Sequence, residues 1–408
     1  MTAKTIRDLL PSVVGRTVIV RSDLNVPLDT GKVTDDGRIR ASLPAITELA
    51  DTGAKVIVLA HLGRPNGTFD PAASLGPVAE RMRQLTDRPI ILAKDVTGSS
   101  AQHQAEQLDN GQILVVENVR FDARETSKDD AERQALAQEI AALAGTNGAY
   151  VNDAFGAVHR KHASVYDIAA LLPSYQGPLV ATELNVLNRL MVEPRRPYTV
   201  VLGGSKVSDK LAVIDNLLDR ADTLLIGGGM AYTFLKAQGY DVASSLLEED
   251  QLPVVQDYLQ RSADGAAKIV IPTDTVVAEA FRADAQYAVV NVDAMTSGPG
   301  GSAALGLDIG PETAKHYATQ IEASATVFWN GPMGVFEMEN FAAGTRTIAQ
   351  ALTKVKGLSV VGGGDSAAAV RALGFHDDAY GHISTGGGAS LEYLEGKTLP
   401  GIDALKNA

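Results

Sequence analysis

Tyr198–Lys210 reads YTVVLGGSKVSDK, and this stretch, near the middle of the chain, carries the pattern from which the fold follows. Tyr198–Leu202 is a run of β-branched and apolar residues, the composition of a strand buried on both faces. Gly203-Gly204 stops that strand and leaves backbone N–H groups uncovered by side chains. From Ser205 to Lys210 the pattern turns helical, with Leu211, Ile214, Leu217 and Leu218 on one face. Strand, glycine turn and helix N-terminus form an anion site, because unpaired N–H groups and the positive end of the helix dipole point the same way. Lys206 and Lys210 lie four apart and reach the same side of such a helix. The spacing is not that of a Walker A loop. An ordinary turn with two solvated lysines would have the same local sequence, so the rest of the chain has to separate the two readings.

A chain of 408 residues is long for one core and suggests two domains. Its 45% hydrophobic residues and 39 glycines fit a globular, loop-rich protein. The absence of cysteine excludes disulfides, thiol nucleophiles and Cys-ligated zinc, and fits a reducing, cytoplasmic compartment. The first residues, MTAKTIRDLLPSVVGR, lack the apolar core of a signal peptide, and no apolar run approaches the ~20 residues of a membrane span. A net charge of −13 argues against nucleic acid as a partner. It also means that a site for anions must gather its positive charge locally.

In the first half, Val18–Val20, Lys55–Ala60, Ile90–Ala93, Ile113–Val116 and Ala149–Val151 have the composition of short buried strands. Amphipathic stretches such as Leu43–Asp51 and Asp129–Ala144 separate them, which implies βαβ units and a parallel sheet. Ligands of such sheets bind beyond the carboxyl ends of the strands. The residues there repeat one theme: Arg21-Ser22-Asp23-Leu24-Asn25-Val26-Pro27, His61-Leu62-Gly63-Arg64-Pro65, Glu117-Asn118-Val119-Arg120-Phe121, and Asn152-Asp153-Ala154-Phe155 followed by His159-Arg160-Lys161-His162. Arg38 lies just after the first of them. One such arginine would be an ordinary surface residue. Several at one edge, with three of the seven histidines, make a basic bowl suited to carboxylate and phosphate. Asp23 and Asn25 suit a ligand hydroxyl instead. His61 is either an acid–base group or an anion donor.

Leu172–Pro178 breaks the strand pattern, Leu179–Val192 reads as a helix, and Glu193–Pro197 ends it. This looks like a boundary: residues 1–173 form one domain, 174–197 a connecting helix and hinge, and 198–395 a second domain. The βα rhythm resumes at Thr223–Ile226, Lys268–Ile271, Thr326–Trp329 and Leu358–Val361, now with glycines after the strands. They are Gly227-Gly228-Gly229, Gly306 to Gly310 ahead of a helix near Glu312, Asn330-Gly331 onward to Glu337, Gly362-Gly363-Gly364-Asp365-Ser366-Ala367, and Gly386-Gly387-Gly388. Turns of this kind let backbone approach a phosphate or a base closely, and several at one edge favour a nucleotide. Asp365 is either a helix N-cap or a ligand for the Mg²⁺ that accompanies ATP. Glu337 suits the hydroxyls of a ribose. No G-x-G-x-x-G opens a βαβ unit, which argues against a dehydrogenase.

VIVRSDLNVP, HLGRP, ENVRF, VNDAFGAVHRKHAS, LGGSKVSDK, IGGGMAYTFLK, GLDIGPET, FWNGPMGVFE, GGGDS and STGGGASLEYLEGK occur in that order over nearly the whole chain. Together they resemble the phosphoglycerate kinase family. The resemblance implies an α/β fold of two Rossmann-like three-layer αβα domains with parallel sheets joined by a helix hinge. It also implies reversible phosphoryl transfer from 1,3-bisphosphoglycerate to ADP, giving 3-phosphoglycerate and ATP, with Mg²⁺. The first domain would hold the glycerate through Asp23, Leu24, Asn25, Arg38, His61, Leu62, Gly63, Arg64, Arg120 and Arg160. The second would hold the nucleotide through Gly204, Lys206, Lys210, Gly228, Gly229, Gly306, Asn330, Glu337, Gly363, Gly364, Asp365, Ser366 and Ala367, with Asp365 toward the metal. Arg38, Lys206, Gly387 and Gly388 would face the transferred group. The tail 396–408 would pack back on the first domain, and the protein would work as a monomer. Ala157, Val158 and Ser366 depart from the common Thr-Ala and Thr of the family.

The chemistry agrees with the residue types. A carboxylate acceptor is already ionised near neutral pH, with a reference pKa of about 3.5–4. No general base is needed, so catalysis rests on positioning and electrostatics. Two competing readings are another acyl-phosphate kinase, which gives no reason for Asp23 and Asn25, and a closing two-domain binding protein, which gives none for Lys206 and Asp365.

Overall fold

A computed structural model describes residues 3–384 and 386–406, so Thr385 of the motif Ser384–Ser390 and the last two residues of the tail lie outside it. The chain divides into two compact units, Met1–Leu184 with Thr398–Ala408, and Asn185–Lys397. The sequence alone places the first limit at 173 and the last at 395.

The first unit is built on a six-stranded sheet in the order Ile90–Leu92, Ile113–Val115, Lys55–Leu59, Thr17–Arg21, Gly148–Asn152 and Ser174–Gln176, every pair parallel. Alternate side chains of a strand point to opposite faces, and both faces here are apolar. Val18, Val20, Val56 and Val58 pack with Ile39, Leu43, Ile46 and Leu49 of helix Gly37–Asp51 and with Val78 and Met82 of Gly76–Arg83. Ile19, Ile57 and Leu114 pack on the other face with Ala101 of Ser99–Glu106, Leu136 and Ile140 of Asp130–Ala142, and Leu405 of Pro400–Lys406. Three layers result. The tail helix is tied in by the Gly401 N–H, which donates to the Val158 carbonyl at 2.9 Å. Ser174–Gln176, read from sequence as the start of the linker, is an edge strand of this sheet. Its three residues, flanked by Pro173 and Gly177, are too short for any periodicity to register.

The second unit repeats the plan with the order Lys268–Val270, Thr223–Ile226, Tyr198–Leu202, Thr326–Asn330, Leu358–Gly362 and His382–Ile383. Val201, Leu225, Trp329 and Val361 pack against Tyr317 and Ile321 of Pro311–Glu322 and Ile348 and Leu352 of Ala343–Thr353. It also carries an antiparallel sheet that the sequence reading lacks: Tyr287–Asn291, Asp274–Ala278 and Leu305–Ile309. Glycine at 306 hides the last of these as a loop, and the register slips between Val276 and Val277.

The opening stretch differs from expectation in two respects: the Gly203 and Gly204 N–H groups, expected to be uncovered, donate to the Asn330 and Pro332 carbonyls at 2.9 Å, and the helix starts late. The strand Tyr198–Leu202 forms as expected, but the helix starts only at Leu211. Residues 205–210 are a turn, with the Lys210 N–H donating to the Val207 carbonyl at 2.8 Å. Fully buried Val207 anchors it, and Glu248 accepts from both the N–H and hydroxyl of Ser208, at 3.1 and 2.5 Å. The helix dipole expected behind Gly203-Gly204 therefore begins some residues later.

Helix Pro178–Met191, which runs from the first unit into the second, is capped from a distance. Asp153, just past strand Gly148–Asn152, accepts from the N–H groups of Leu179 at 2.7 Å and Val180 at 3.4 Å. Burial pushes the Asp153 carboxyl up to about 7 from an ordinary 3.8. Between those pH values the folded chain keeps a proton that the unfolded chain has lost. The stability owed to this group is therefore complete below about pH 4 and declines as pH rises through 7. Asp153→Asn keeps the acceptor oxygen without the charge. Its urea-unfolding midpoint should fall less than the wild-type midpoint between about pH 5 and 8; matching slopes would contradict the assignment. At Gly177 a Cβ would overlap the Asp153 carboxylate, so Gly177→Ala should cost about 1–3 kcal/mol in the same measurement.

Candidate active site

Four loops leave the carboxyl end of the first sheet and meet around a cleft of about 600 Å³. Asn25, His61, Gly63, Arg64, Arg120, His159, Arg160 and His162 line it, together with Asn66, Gly67, Thr126, Gly156 and Ala157. No carboxylate is among these lining residues. Asp23 stands at its edge, where it pairs with Arg38 at 2.7 Å and would touch a Cβ at Gly156. Leu24 and Leu62 have their side chains in the hydrophobic core, so only their backbone is available to a ligand. Asn66, Gly67 and Thr126 were not singled out from sequence; Asn66-Gly67 is a turn dipeptide whose position could have drawn notice, whereas Thr126 gives no local signal.

Much of each motif serves to hold the loops. Asn25 Oδ1 accepts from the Gly63 N–H at 2.9 Å, joining the first loop to the second. Arg120 Nη1 donates to the Gly63 carbonyl at 2.9 Å, joining the third. Asn118, fully buried, donates to the carbonyls of Leu62 and Ala73 at 2.7 and 2.8 Å. Glu117 accepts from Ser74 Oγ, the Leu75 N–H and the Asn118 N–H at 2.7–2.8 Å. Beneath the cleft floor Arg21 is wholly out of water. It donates to Ser164 Oγ at 2.9 Å, the Ser22 carbonyl at 2.5 Å and His61 Nδ1 at 2.9 Å.

Electrostatics follow from that burial. Loss of hydration, and then the Arg21 and Arg120 charges, hold His61 well below its ordinary range and His162 down to about 3. Both rings are neutral near pH 7. Glu125, also fully buried, is pushed up to about 7 by desolvation, against the pull of Arg21 and the Ser164 donors.

The second unit has a pocket of about 290 Å³ at the matching edge of its own sheet. Gly204, Lys206, Lys210, Asn330, Gly363, Gly364, Asp365, Ser366, Gly387 and Gly388 line it, with Gly203, Ser205, Asp209, Gly331 and Leu391. Lys210 is held by Asn330 Oδ1, and desolvation lowers its pKa. Lys206 is exposed. Helix Gly364–Ala372 is preceded by Gly363 in the left-handed region at φ 88°, so Asp365 sits inside its first turn and is not its N-cap. Ser366 Oγ accepts from the Gly331 N–H at 2.7 Å, which fixes the neighbouring loop.

The glycines fall into two kinds. Gly204, Gly364 and Gly387 face open space where a Cβ would be, and all three line the pocket. Gly228 is packed on the backbone of Gly204 and Pro332, and Gly229 on Ser205 and Leu246. Gly306 lies in strand Leu305–Ile309 against the ring of Tyr232. These three, with exposed Glu337 and buried Ala367, are not among the lining residues of the pocket. His, Asp and Glu do not gather in threes as a metal cage among the described residues.

A family model described as phosphoglycerate kinase matches residues 6–397. The phosphoglycerate kinase of Paenarthrobacter aurescens (strain TC1) is 63% identical over 406 residues, covering 99% of this chain and 100% of that protein. That of Arthrobacter sp. (strain FB24) is 62% identical over 406 residues, with the same coverage. Among solved structures, phosphoglycerate kinase from Coxiella burnetii is 39% identical with a TM-score of 0.87, covering 97% of each chain. The enzyme from Pyrococcus horikoshii OT3 is 30% identical with a TM-score of 0.82, covering 99% of this chain and 98% of that one. On these matches the chain belongs to the phosphoglycerate kinase family, and its reaction is that family's reversible phosphoryl transfer with a carboxyl group as acceptor, a step of glycolysis.

Proposed function

We propose that the carboxylate-free cleft of the first unit takes 3-phosphoglycerate or 1,3-bisphosphoglycerate, and that the glycine-lined pocket of the second takes ADP or ATP. The observation that carries this is the first cleft itself. Three arginines and three histidines line it without an acidic residue among them, Asp23 standing at the edge in a pair with Arg38, in a chain of net charge −13. Guanidinium groups grip phosphate and carboxylate in pairs; Asp23 and Asn25 remain for the ligand hydroxyl. Lys210, held by Asn330 in the same pocket, suits the nucleotide phosphates, and the open space at Gly364 and Gly387 lets them come close.

Asp365 fits a magnesium ion brought by the nucleotide. It is a carboxylate in the same pocket as both lysines, and magnesium commonly takes one or two carboxylates and otherwise phosphate oxygens and water. When bound, that ion neutralises charge on the nucleotide phosphates. The chain's own groups do the rest. The acceptor carboxylate attacks already ionised, so no protein base removes a proton. Arg38 orients its oxygens, Lys206 follows the moving phosphoryl group, and the N–H groups of Gly387 and Gly388 take an equatorial oxygen. We assign helix Pro178–Met191 as the hinge, residues 1–173 and the tail to the glycerate side, and 198–395 to the nucleotide side. We further propose a cytoplasmic monomer that has no nucleic-acid or membrane partner; no helix among the described residues is long and apolar enough to cross a membrane.

A coupled assay with 3-phosphoglycerate and ATP, with and without magnesium, tests the whole reading. Activity should be far above that with acetate or aspartate and should vanish without the ion. Lys206→Ala should lower kcat by about 10²–10³ while leaving ADP affinity largely intact; an equal loss of affinity would make Lys206 a binding group only. His61→Gln should raise KM for 3-phosphoglycerate without removing a limb from the kcat–pH profile, because the chemical step moves no proton. A limb near pH 6–7 (roughly the ordinary histidine range) that disappears in the variant would restore the acid–base role.

A further inference from the structure

Arg21 has no direct place in the cleft. It is fully buried at the end of strand Thr17–Arg21, and each of its three guanidinium nitrogens has a hydrogen-bond partner. Its Nη2 lies 2.9 Å from His61 Nδ1, its Nε donates to Ser164 Oγ at 2.9 Å, and its Nη1 donates to the Ser22 carbonyl at 2.5 Å. Ser164 in turn donates its hydroxyl to Glu125 Oε1 at 2.6 Å, and its N–H to Oε2 at 2.9 Å. A continuous chain of bonds thus runs from a buried carboxylate to a ring on the cleft wall.

A guanidinium only donates, so the nitrogen facing it must accept. That settles the tautomer of His61: Nδ1 carries the lone pair and Nε2 the proton. The ring lines the cleft while Nδ1 is turned inward on Arg21, so Nε2–H is the group left for a ligand. The distinction matters for an anion. The opposite tautomer would present a lone pair to phosphate or carboxylate and repel it. Burial and the Arg21 charge also keep the ring neutral, so the donor depends on the tautomer and not on protonation.

We propose that Arg21 is a positioning residue of the first cleft, which fixes His61 as the Nε2–H tautomer and is itself held by Glu125 through Ser164. The inference rests on the reading of the first cleft as the 3-phosphoglycerate site. Thr17–Arg21 is a central strand of the sheet, which makes the guanidinium a rigid reference for the ring.

The test is ¹⁵N NMR of the full chain labelled at its seven histidines, with His61→Gln to assign the signals. The wild-type spectrum should show His61 with Nδ1 unprotonated and Nε2 protonated at neutral pH, and added 3-phosphoglycerate should move the Nε2 signal. A proton on Nδ1 overturns the proposal without any variant being made. Arg21→Met, similar in length and without donors, should give a mixed tautomer and a KM for 3-phosphoglycerate raised about three- to tenfold with kcat little changed. Ser164→Ala should shift KM in the same direction and Ser164→Thr, which keeps the hydroxyl, should restore it. A folded Arg21→Met protein with unchanged tautomer and KM reduces Arg21 to a structural residue and overturns the proposal. If the tautomer is as stated but 3-phosphoglycerate leaves the His61 signals unmoved, the cleft assignment fails, and the service of Arg21 to the ligand fails with it.

Discussion

A parallel strand cannot turn straight back on itself, so every strand of such a sheet delivers the chain to the same edge. Both sheets here obey that constraint, and the ligand-facing groups depend on it. Asn25, His61, Arg120 and Arg160 are distant in sequence, yet each follows one of four strands that lie side by side. Lys206 and Asp365 do the same in the second unit, and Asn330 ends the strand between theirs. The strands behind them are buried on both faces. Apolar burial of about 25 cal/mol per Å² makes that base difficult to displace, so the polar loops inherit a fixed origin.

Fixing the loops themselves takes buried polar groups, and these are costly unless paired. The first unit meets the cost by letting motif residues satisfy one another across loops. Asn118 supplies two carbonyls, Glu117 receives three donors, and Asn25 closes the gap to Gly63. Arg21 is the extreme case, a guanidinium without contact with water that bonds His61 and Ser164 on neighbouring elements and the carbonyl of the adjoining Ser22. The cleft is therefore preorganised: its positive groups do not have to be gathered when an anion arrives, which is the condition under which such donors act strongly.

In the second unit glycine takes over the part that polar side chains play in the first. Gly203, Gly228 and Gly331 let three strand-end loops approach backbone to backbone, at separations no Cβ would allow, while Gly227 packs on the Met333 side chain. Gly204, Gly364 and Gly387 have open space where a Cβ would be, although the Gly204 N–H is taken by the Pro332 carbonyl at 2.9 Å. The first group builds the pocket, Gly203 and Gly331 also lining it, and the second adds the open part of its lining.

The alternation of buried strands with amphipathic helices, the edge where function gathers, and the identity of the cationic and glycine-rich loops were all legible in the chain as written, because hydrophobic periodicity and turn chemistry act over a few neighbouring residues. The strand Ser174–Gln176, the antiparallel sheet around Asp274–Ala278 and the late start of helix Leu211–Leu218 were not, since each is held by partners far away: Tyr150 to Asn152, Leu305–Ile309, and Glu248. The same limit separated the residues within each motif. Nothing local distinguishes Asn118, which braces a loop, from Arg120, which faces the cleft, or Gly228, which is packed, from Gly364, which is open. Those assignments depend on which backbone lies opposite in space, and that is fixed only when the layers close and the polar groups between them find their partners.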